Sequence, residues 1–302
     1  MTISQRSRTR PWRGVMAATA TPLRADLSVD FEAYADHVRQ LIDSGCDGVV
    51  PNGSLGEYQT LSDEERARLV TTAVEAAGDG ARVMAGVAAY GSTEARRWTE
   101  QAAEAGAGSV LLLPPNAYRA DEVAVRAHYA EVARAGLPVV AYNNPYDTRT
   151  DLSPRLLATL HGEKSIVAVK EFTGDVRRAY EIAELAPGLD LLIGADDVLV
   201  ELSLAGAVGW IAGFPNALPE ACVTLYHAAA AGNLDMAMPL YRAMHPLLRW
   251  DSKPEFVQAI KLSMDVAGLH GGLCRPPRSP LSSEDRATVR AVTEKLLAEG
   301  LS

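Results

Sequence analysis

Cysteine is scarce in this chain: Cys46, Cys222 and Cys274 are the only three, and they stand far apart with no C-x-x-C spacing. That excludes a disulfide scaffold and a zinc knuckle, and it is the cysteine usage of a protein of the reducing cytoplasm. Long hydrophobic runs are missing too. No stretch approaches the ~18 apolar residues of a membrane span. The basic start "MTISQRSRTRPWRG" leads only into "GVMAATATPL", which is short for a signal core and is broken at Pro22. Positive charge is in deficit: 29 Lys and Arg face 38 Asp and Glu, for a net charge of −9 and a pI of about 5.2. Nucleic acid and anionic membrane are therefore poor partners. The six histidines form no H-x-x-x-H or H-E-x-x-H pattern and read as surface or core residues. No G-x-G-x-x-G turn follows the first apolar run, as a doubly wound dinucleotide-binding sheet would need.

What is present is one alternation repeated. Short apolar runs end in Gly, Pro or Asn, and an amphipathic helical pattern follows each. The runs cover 14–20, 47–53, 82–88, 109–115, 138–144, 166–172, 190–196 and 207–213. Helical patterns such as "DFEAYADHVRQLIDSG" and "SDEERARLVTTAVEAAG" lie between them. Ser62 and Ser92 stand at expected N-caps. Strands alternating with helices imply a parallel sheet, and eight units imply a (β/α)8 barrel. With 48% hydrophobic residues the chain can bury such a core. Residues 1–13 read as a loose arm, 14–232 as the barrel, and 233–302 as a helical extension packed on it without a linker.

Barrel chemistry sits at the C-terminal ends of the strands. The sixth run, "SIVAVKEFTG", is apolar and β-branched until Lys170 and Glu171. A lysine there can reach solvent or pair with Glu171. Held in an apolar mouth, it can instead be a desolvated amine with a lowered pKa, able to attack a ketone and form a Schiff base. Tyr142 ends the neighbouring fifth run and can either pack on Pro145 or shuttle protons beside the lysine. After the second run, Gly53 and Gly56 permit a tight turn whose backbone N–H groups form an anion nest, with Ser54 adding a hydroxyl. Asp196 and Asp197 read as N-capping residues. Trp250 and Asp251 read as fixing the tail.

These motifs resemble those of the dihydrodipicolinate synthase/N-acetylneuraminate lyase family of class I, Schiff-base-forming barrels. "GSLGEYQTLSDEER", "YNNP", "VKEFTGD", "GADD" and "GAVGWIAGFPN" carry the resemblance, which spans nearly the whole chain. It implies Lys170 as the Schiff-base lysine and Tyr142 as the proton relay. It implies that Ser54 and Leu55, with Gly53, hold the carboxylate of a 2-oxo acid. It places Ile211 in the pocket wall, with Thr21 and Asn216 supporting the mouth. No metal or organic cofactor is implied, and members are usually homotetramers.

The departures from the synthase pattern bear on the reaction. Leu55 stands where synthases carry a second hydroxyl. Pro115 and Asn116 stand where a tyrosine is lent to the neighbouring subunit, with Tyr118 two residues on. Asp147 stands where an arginine binds the second substrate's carboxylate. Arg149, Lys253 and Arg275 are the cations whose reach decides whether that site is replaced. "YNNPYDT", "VKEFTGDVRR" and "RWDSKPEFVQAIKLSMDVAG" resemble branches that degrade sugar acids or hydroxyproline-derived imino acids, including 1-pyrroline-4-hydroxy-2-carboxylate deaminases. The expected activity is dehydration, deamination or retro-aldol cleavage of a pyruvate-type 2-oxo acid. The alternatives are a genuine 4-hydroxy-tetrahydrodipicolinate synthase and a non-catalytic barrel that binds 2-oxo acids.

Overall fold

A computed structural model describes residues 10–78 and 82–302. Eight parallel strands close a barrel in sequence order: β1 Gly14–Ala18, β2 Gly48–Val50, β3 Arg82–Gly86, β4 Ser109–Leu112, β5 Val139–Asn143, β6 Ala168–Glu171, β7 Asp190–Ile193 and β8 Gly209–Ala212. β8 returns to β1 with Met16 opposite Ile211, so no edge is left open. Each strand falls inside one of the eight apolar runs. Strands β4 to β8 are buried along their whole length. That is why they read as continuous apolar stretches and not as alternating ones.

The outer helices follow from the 3.6-residue period. Helix Phe31–Asp43 buries Tyr34, His37, Val38 and Leu41, an i, i+3, i+4, i+7 stripe against the sheet. Ser62 caps helix Asp63–Ala77 in a reciprocal box, its Oγ accepting from the Glu65 N–H at 3.2 Å while its own N–H donates to Glu65 at 2.9 Å. Ser92 differs from expectation. Gly91 is the cap, and the Ser92 hydroxyl is engaged with His128 Nδ1 at 3.0 Å.

Residues 1–9 of the expected loose arm lie outside the described residues. The arm's end is not loose. Trp12 is buried, and Arg10, Trp12 and Arg13 all donate to Asp190 at the N-terminal start of β7. An apolar indole beside two guanidinium groups had a buried carboxylate to find.

After β8, helix Pro219–Ala230 is followed by helices Leu234–Leu248, Phe256–Val266 and Ser283–Ala298. The Ala221 N–H donates to the Ser302 carbonyl at 2.7 Å, which holds the chain's end against the first of these helices. The Thr293 hydroxyl donates to Ser263 at 3.0 Å between the last two. The segment joining the second and third of these four helices passes over the C-terminal mouth of the barrel. No helix among the described residues is long and apolar enough to cross a membrane.

Candidate active site

A cavity of about 670 Å³ opens at the C-terminal ends of the strands, and Lys170, Tyr142, Gly53, Ser54 and Leu55 all line it. Tyr142 on β5 and Lys170 on β6 are register partners. Lys170 is 7% exposed, with Nζ 4.4 Å from the centre of the Tyr142 ring and 5.7 Å from that of Phe172. Burial lowers the lysine pKa from 10.5, and the nearby Asp251 and Asp196 carboxylates only partly oppose it. Burial likewise pushes Tyr142 well above 10, with Asp251 adding to the effect. The phenol therefore keeps its proton near neutral pH, and it accepts a hydrogen bond from Asn144 Nδ2 at 3.4 Å. Pairing of Lys170 with Glu171 does not occur. Successive strand residues face opposite sides, and the Glu171 carboxylate accepts from Asn143, the Thr173 N–H and Arg178 behind the strand.

The turn after β2 is built differently from the glycine-based expectation. Its left-handed residues are Asn52 at φ 58° and Glu57 at φ 56°, and not the two glycines. Gly56 is required for close approach: a Cβ there would lie 3.1 Å from the Thr19 carbonyl oxygen. Thr21 Oγ1 donates to the Gly56 carbonyl at 2.8 Å, so Thr21 braces this turn from below. The N–H groups of Ser54 and Leu55 donate to no described residue. Glu57 fastens the turn to the tail through Lys261 Nζ at 2.7 Å and the Arg275 N–H at 3.0 Å. The Glu57–Lys261 pair is 2% and 1% exposed. Lys261 Nζ also donates to the Leu273 carbonyl at 2.6 Å.

Two acids given only structural roles by the sequence belong to this site. Asp196 does not cap a helix. It is fully buried and accepts from Trp210 Nε1 at 2.8 Å and the Gly213 N–H at 3.3 Å. Asp251 lines the cavity. Burial raises its pKa to about 7, and Lys170 opposes the rise. Asp196 is raised well above 3.8 by burial and by Asp251. An acid closing the seventh strand run was a visible signal for Asp196. Asp251 arrives from the tail, and no local pattern in the sequence marks it.

Asn216 ties the ends of β1 and β8 together. It donates to the Ala18 and Gly213 carbonyls at 2.7 and 2.6 Å and accepts from the Ala20 N–H at 2.9 Å. Ile211 is not among the residues lining the cavity. It is 1% exposed at the next-to-last position of β8. Asp147 and Asn116 do line the cavity. Asp147 accepts from Asn144 Nδ2 at 2.9 Å, and Asn116 Nδ2 donates to the Tyr58 hydroxyl at 3.3 Å. Of the three cations in question, only Lys253 lines the cavity, joined there by Arg66 and Arg278. Arg275 is committed to Glu65 and to the Leu27 and Thr60 carbonyls. Arg149 ends the short helix Pro145–Thr148 in a left-handed conformation and is not part of the lining. Among the described residues no group of three His, Cys, Asp or Glu side chains is placed to hold a metal ion.

Comparison with known proteins gives the same picture. The chain is 33% identical over 288 residues to the 4-hydroxy-tetrahydrodipicolinate synthase of Methanothrix thermoacetophila, covering 94% of this chain and 97% of that protein. A putative dihydrodipicolinate synthetase from Pseudomonas aeruginosa superposes with a TM-score of 0.89 at 30% identity, over 94% of this chain and 99% of that one. YagE, a prophage protein of the dihydrodipicolinic acid synthase family from E. coli K12 solved in complex with pyruvate, superposes with a TM-score of 0.87 at 26% identity, over 96% and 99% of the two chains. Residues 11–296 match the model of the dihydrodipicolinate synthetase family, and the chain belongs to that family of class I, Schiff-base-forming lyases.

Proposed function

We propose that the protein binds a pyruvate-type 2-oxo acid as an imine of Lys170 and catalyses dehydration, deamination or retro-aldol cleavage of it. The observation that carries this reading is the convergence on one cavity of a buried lysine, its register-partner tyrosine and two backbone N–H groups with no acceptor among the described residues. Those N–H groups suit the substrate carboxylate, and the relative solved with pyruvate supports that ligand class. The free amine of Lys170 adds to the ketone carbon, and the carbinolamine then loses water. The resulting iminium draws electrons from the C3–C4 bond or from a C3–H bond. In this reading Tyr142, protonated and hydrogen-bonded to Asn144, passes protons at the reacting carbon.

Relatives named as synthases keep condensation with aspartate semialdehyde in view. Three features weigh against it: Asp147 in place of the carboxylate-binding arginine, Leu55 in place of a relay hydroxyl, and Arg275 committed elsewhere. A pure binding role would require neither Lys170 nor Tyr142. We extend the reading to a homotetramer without a metal or organic cofactor, acting in the cytoplasm. Exposed Tyr90, Tyr118 and Val123 support burial of that side against another subunit.

Borohydride reduction in the presence of pyruvate tests the reading. Intact mass should show one reduced pyruvate adduct per chain, mapping to Lys170. Absence of an adduct with pyruvate and with a panel of 2-oxo acids would refute it.

A further inference from the structure

The turn that carries the Ser54 and Leu55 N–H groups is held at its two ends by different parts of the chain. Its start is held from within the barrel: the Gly86 N–H of β3 donates to the Pro51 carbonyl at 2.8 Å, and Asn52 Nδ2 donates to the Arg66 carbonyl at 2.9 Å. Its end is Glu57, whose N–H donates to the Ser54 carbonyl at 3.1 Å, which ties the position of one residue to that of the other. Glu57 has φ 56°, a left-handed conformation that a residue with a Cβ adopts at a cost. The partners of its carboxylate come from the C-terminal extension. Lys261 Nζ donates to Oε1 at 2.7 Å and the Arg275 N–H to Oε2 at 3.0 Å, with the Cys274 thiol beside them.

These donors are themselves fixed. Lys261 is 1% exposed on helix Phe256–Val266, 204 residues from Glu57, and its Nζ also donates to the Leu273 carbonyl at 2.6 Å. That helix rests on the end of β8, since a Cβ on Gly213 would lie 2.6 Å from Ile260 Cδ1. The chain beyond the helix folds back over Lys261. The Gly271 and Gly272 N–H groups donate to Asp265 Oδ1 at 3.0 Å each, and a Cβ on Gly271 would lie 1.9 Å from the Lys261 carbonyl oxygen. A buried ion pair contributes little stability beyond an apolar pair of similar volume, because desolvation offsets the attraction. Neither Glu57 nor Lys261 lines the cavity. We propose that they are positioning residues for the substrate carboxylate. Their pair fixes the end of the Ser54–Leu55 turn in the shape that receives a carboxylate, so the C-terminal extension, and not the barrel alone, sets how tightly the 2-oxo acid is held. The role rests on the imine reading above, because it concerns the carboxylate of the same ligand.

The test compares pyruvate with methyl pyruvate, the same ketone without the charge. Imine at Lys170 is trapped with cyanoborohydride, which reduces an iminium in preference to a free ketone, and is read by intact mass. The wild type should reach half-maximal trapping at a pyruvate concentration about ten- to a hundredfold lower than for methyl pyruvate, the usual worth of hydrogen bonds to a charged group. Glu57→Gln combined with Lys261→Met removes both charges together and leaves no buried ion unpaired. Its half-maximal concentration for pyruvate should rise about tenfold, that for methyl pyruvate should stay within about twofold, and trapping at saturation should not change. Glu57→Gln alone keeps the length of the side chain and an acceptor oxygen. It should weaken pyruvate selectively by about threefold or more, and it carries the test if the double variant does not fold. Thr293→Val removes the 3.0 Å hydrogen bond to Ser263 and loosens the extension elsewhere. Its urea midpoint should fall while the ratio of the two half-maximal concentrations stays at the wild-type value.

Four results would overturn the proposal: a ratio that stays within about twofold of wild type in the folded variants, equal weakening of both ketones, a loss of trapping at saturation with both half-maximal concentrations unchanged, or the same selective loss in Thr293→Val. A wild type that traps both ketones alike would show that the turn does not hold the carboxylate. It would end this inference and leave the imine standing. A wild type that traps neither ketone would remove the imine reading, and the positioning role with it.

Discussion

At the N-terminal face of the barrel the carboxylate of Asp190 accepts four hydrogen bonds, from Arg10, Trp12 and twice from Arg13. At the C-terminal face Asp251 is as well buried, yet no side chain among the described residues donates to it, and Lys170 nearby has no carboxylate within ion-pairing distance. The same strands carry both faces. Burial pushes both acids upward. At Asp190 the hydrogen bonds of Arg13 and Trp12 outweigh it and the pKa falls, whereas at Asp251 burial prevails. A satisfied buried charge holds a structure in one arrangement. An unsatisfied one stores a preference for something not yet bound. The face with complete hydrogen bonding is therefore assigned to stability, and the face with incomplete bonding to chemistry.

The largest effect that would break this division is at Lys170. Lys170→Ala should fold normally and lose turnover by several orders of magnitude, because no other amine in the cavity is both buried and beside Tyr142. Lys170→Arg should be equally inactive, since a guanidinium stays protonated. Mass analysis after borohydride and pyruvate decides: an adduct on either variant assigns the imine to another residue.

Tyr142→Phe comes next. It should still form the imine, more slowly, and lose about 10²–10⁴-fold in the proton-transfer step. Exchange of solvent deuterium into the pyruvate methyl group, followed by NMR, reads that step directly. A loss below about fivefold would move the relay to Ser54 or to water.

The barrel itself was legible because its strands are buried on both faces. Eight runs of apolar residues, each closed by Gly, Pro or Asn, leave few other topologies. Lys170 and Tyr142 were legible for a related reason: a polar residue ending an apolar run stands out. Asp196 was equally visible in position but could not be told from an N-cap, because a strand end and a helix start coincide there. Asp251 was not legible. It lies 81 residues beyond Lys170 in a segment with no strand or nest pattern, and only the path of the tail over the mouth brings it in. The reach of Arg275 was equally hidden, since its commitment to Glu65 links distant parts of the chain. At the opposite face the anchoring of Trp12 on Asp190 is a long-range contact that no local rule anticipates.

The third prediction concerns the satisfied face. Asp190→Asn removes the carboxylate on which Arg10, Trp12 and Arg13 converge. Both arginines are substantially exposed and regain water, so the loss is discounted from that of a fully buried pair. About 1–3 kcal/mol of stability should be lost at neutral pH. The concentration of pyruvate giving half-maximal trapping should not change, because Asp190 lies at the other end of the barrel. Urea unfolding and trapping measured on the same samples check this, and a shifted pyruvate constant would mean that the two faces are coupled.

The smallest effect distinguishes the faces by the sign of their pH response. Asp190 has a folded pKa below 3.8. The native state releases its proton more readily than the unfolded chain, so its stabilisation is complete above the unfolded value and is lost as pH falls through the folded one. Asp251 runs the other way. With a folded pKa of about 7 against about 3.8 when unfolded, the native state holds a proton that the unfolded chain has given up. Stability attributable to this residue is therefore highest below about pH 4 and declines as pH rises towards 7. Asp251→Asn should remove that decline. The variant should gain on the order of 1 kcal/mol relative to wild type at pH 8 and nothing at pH 4, whereas the deficit of Asp190→Asn should be present at pH 8 and shrink only in strong acid. Unfolding free energies of both variants across that range give two curves of opposite slope. If Asp251→Asn were instead destabilised at pH 8, the ion-pair attraction of Asp251 for Lys170 would outweigh its burial, and the C-terminal face would have to be counted as satisfied before any substrate arrives.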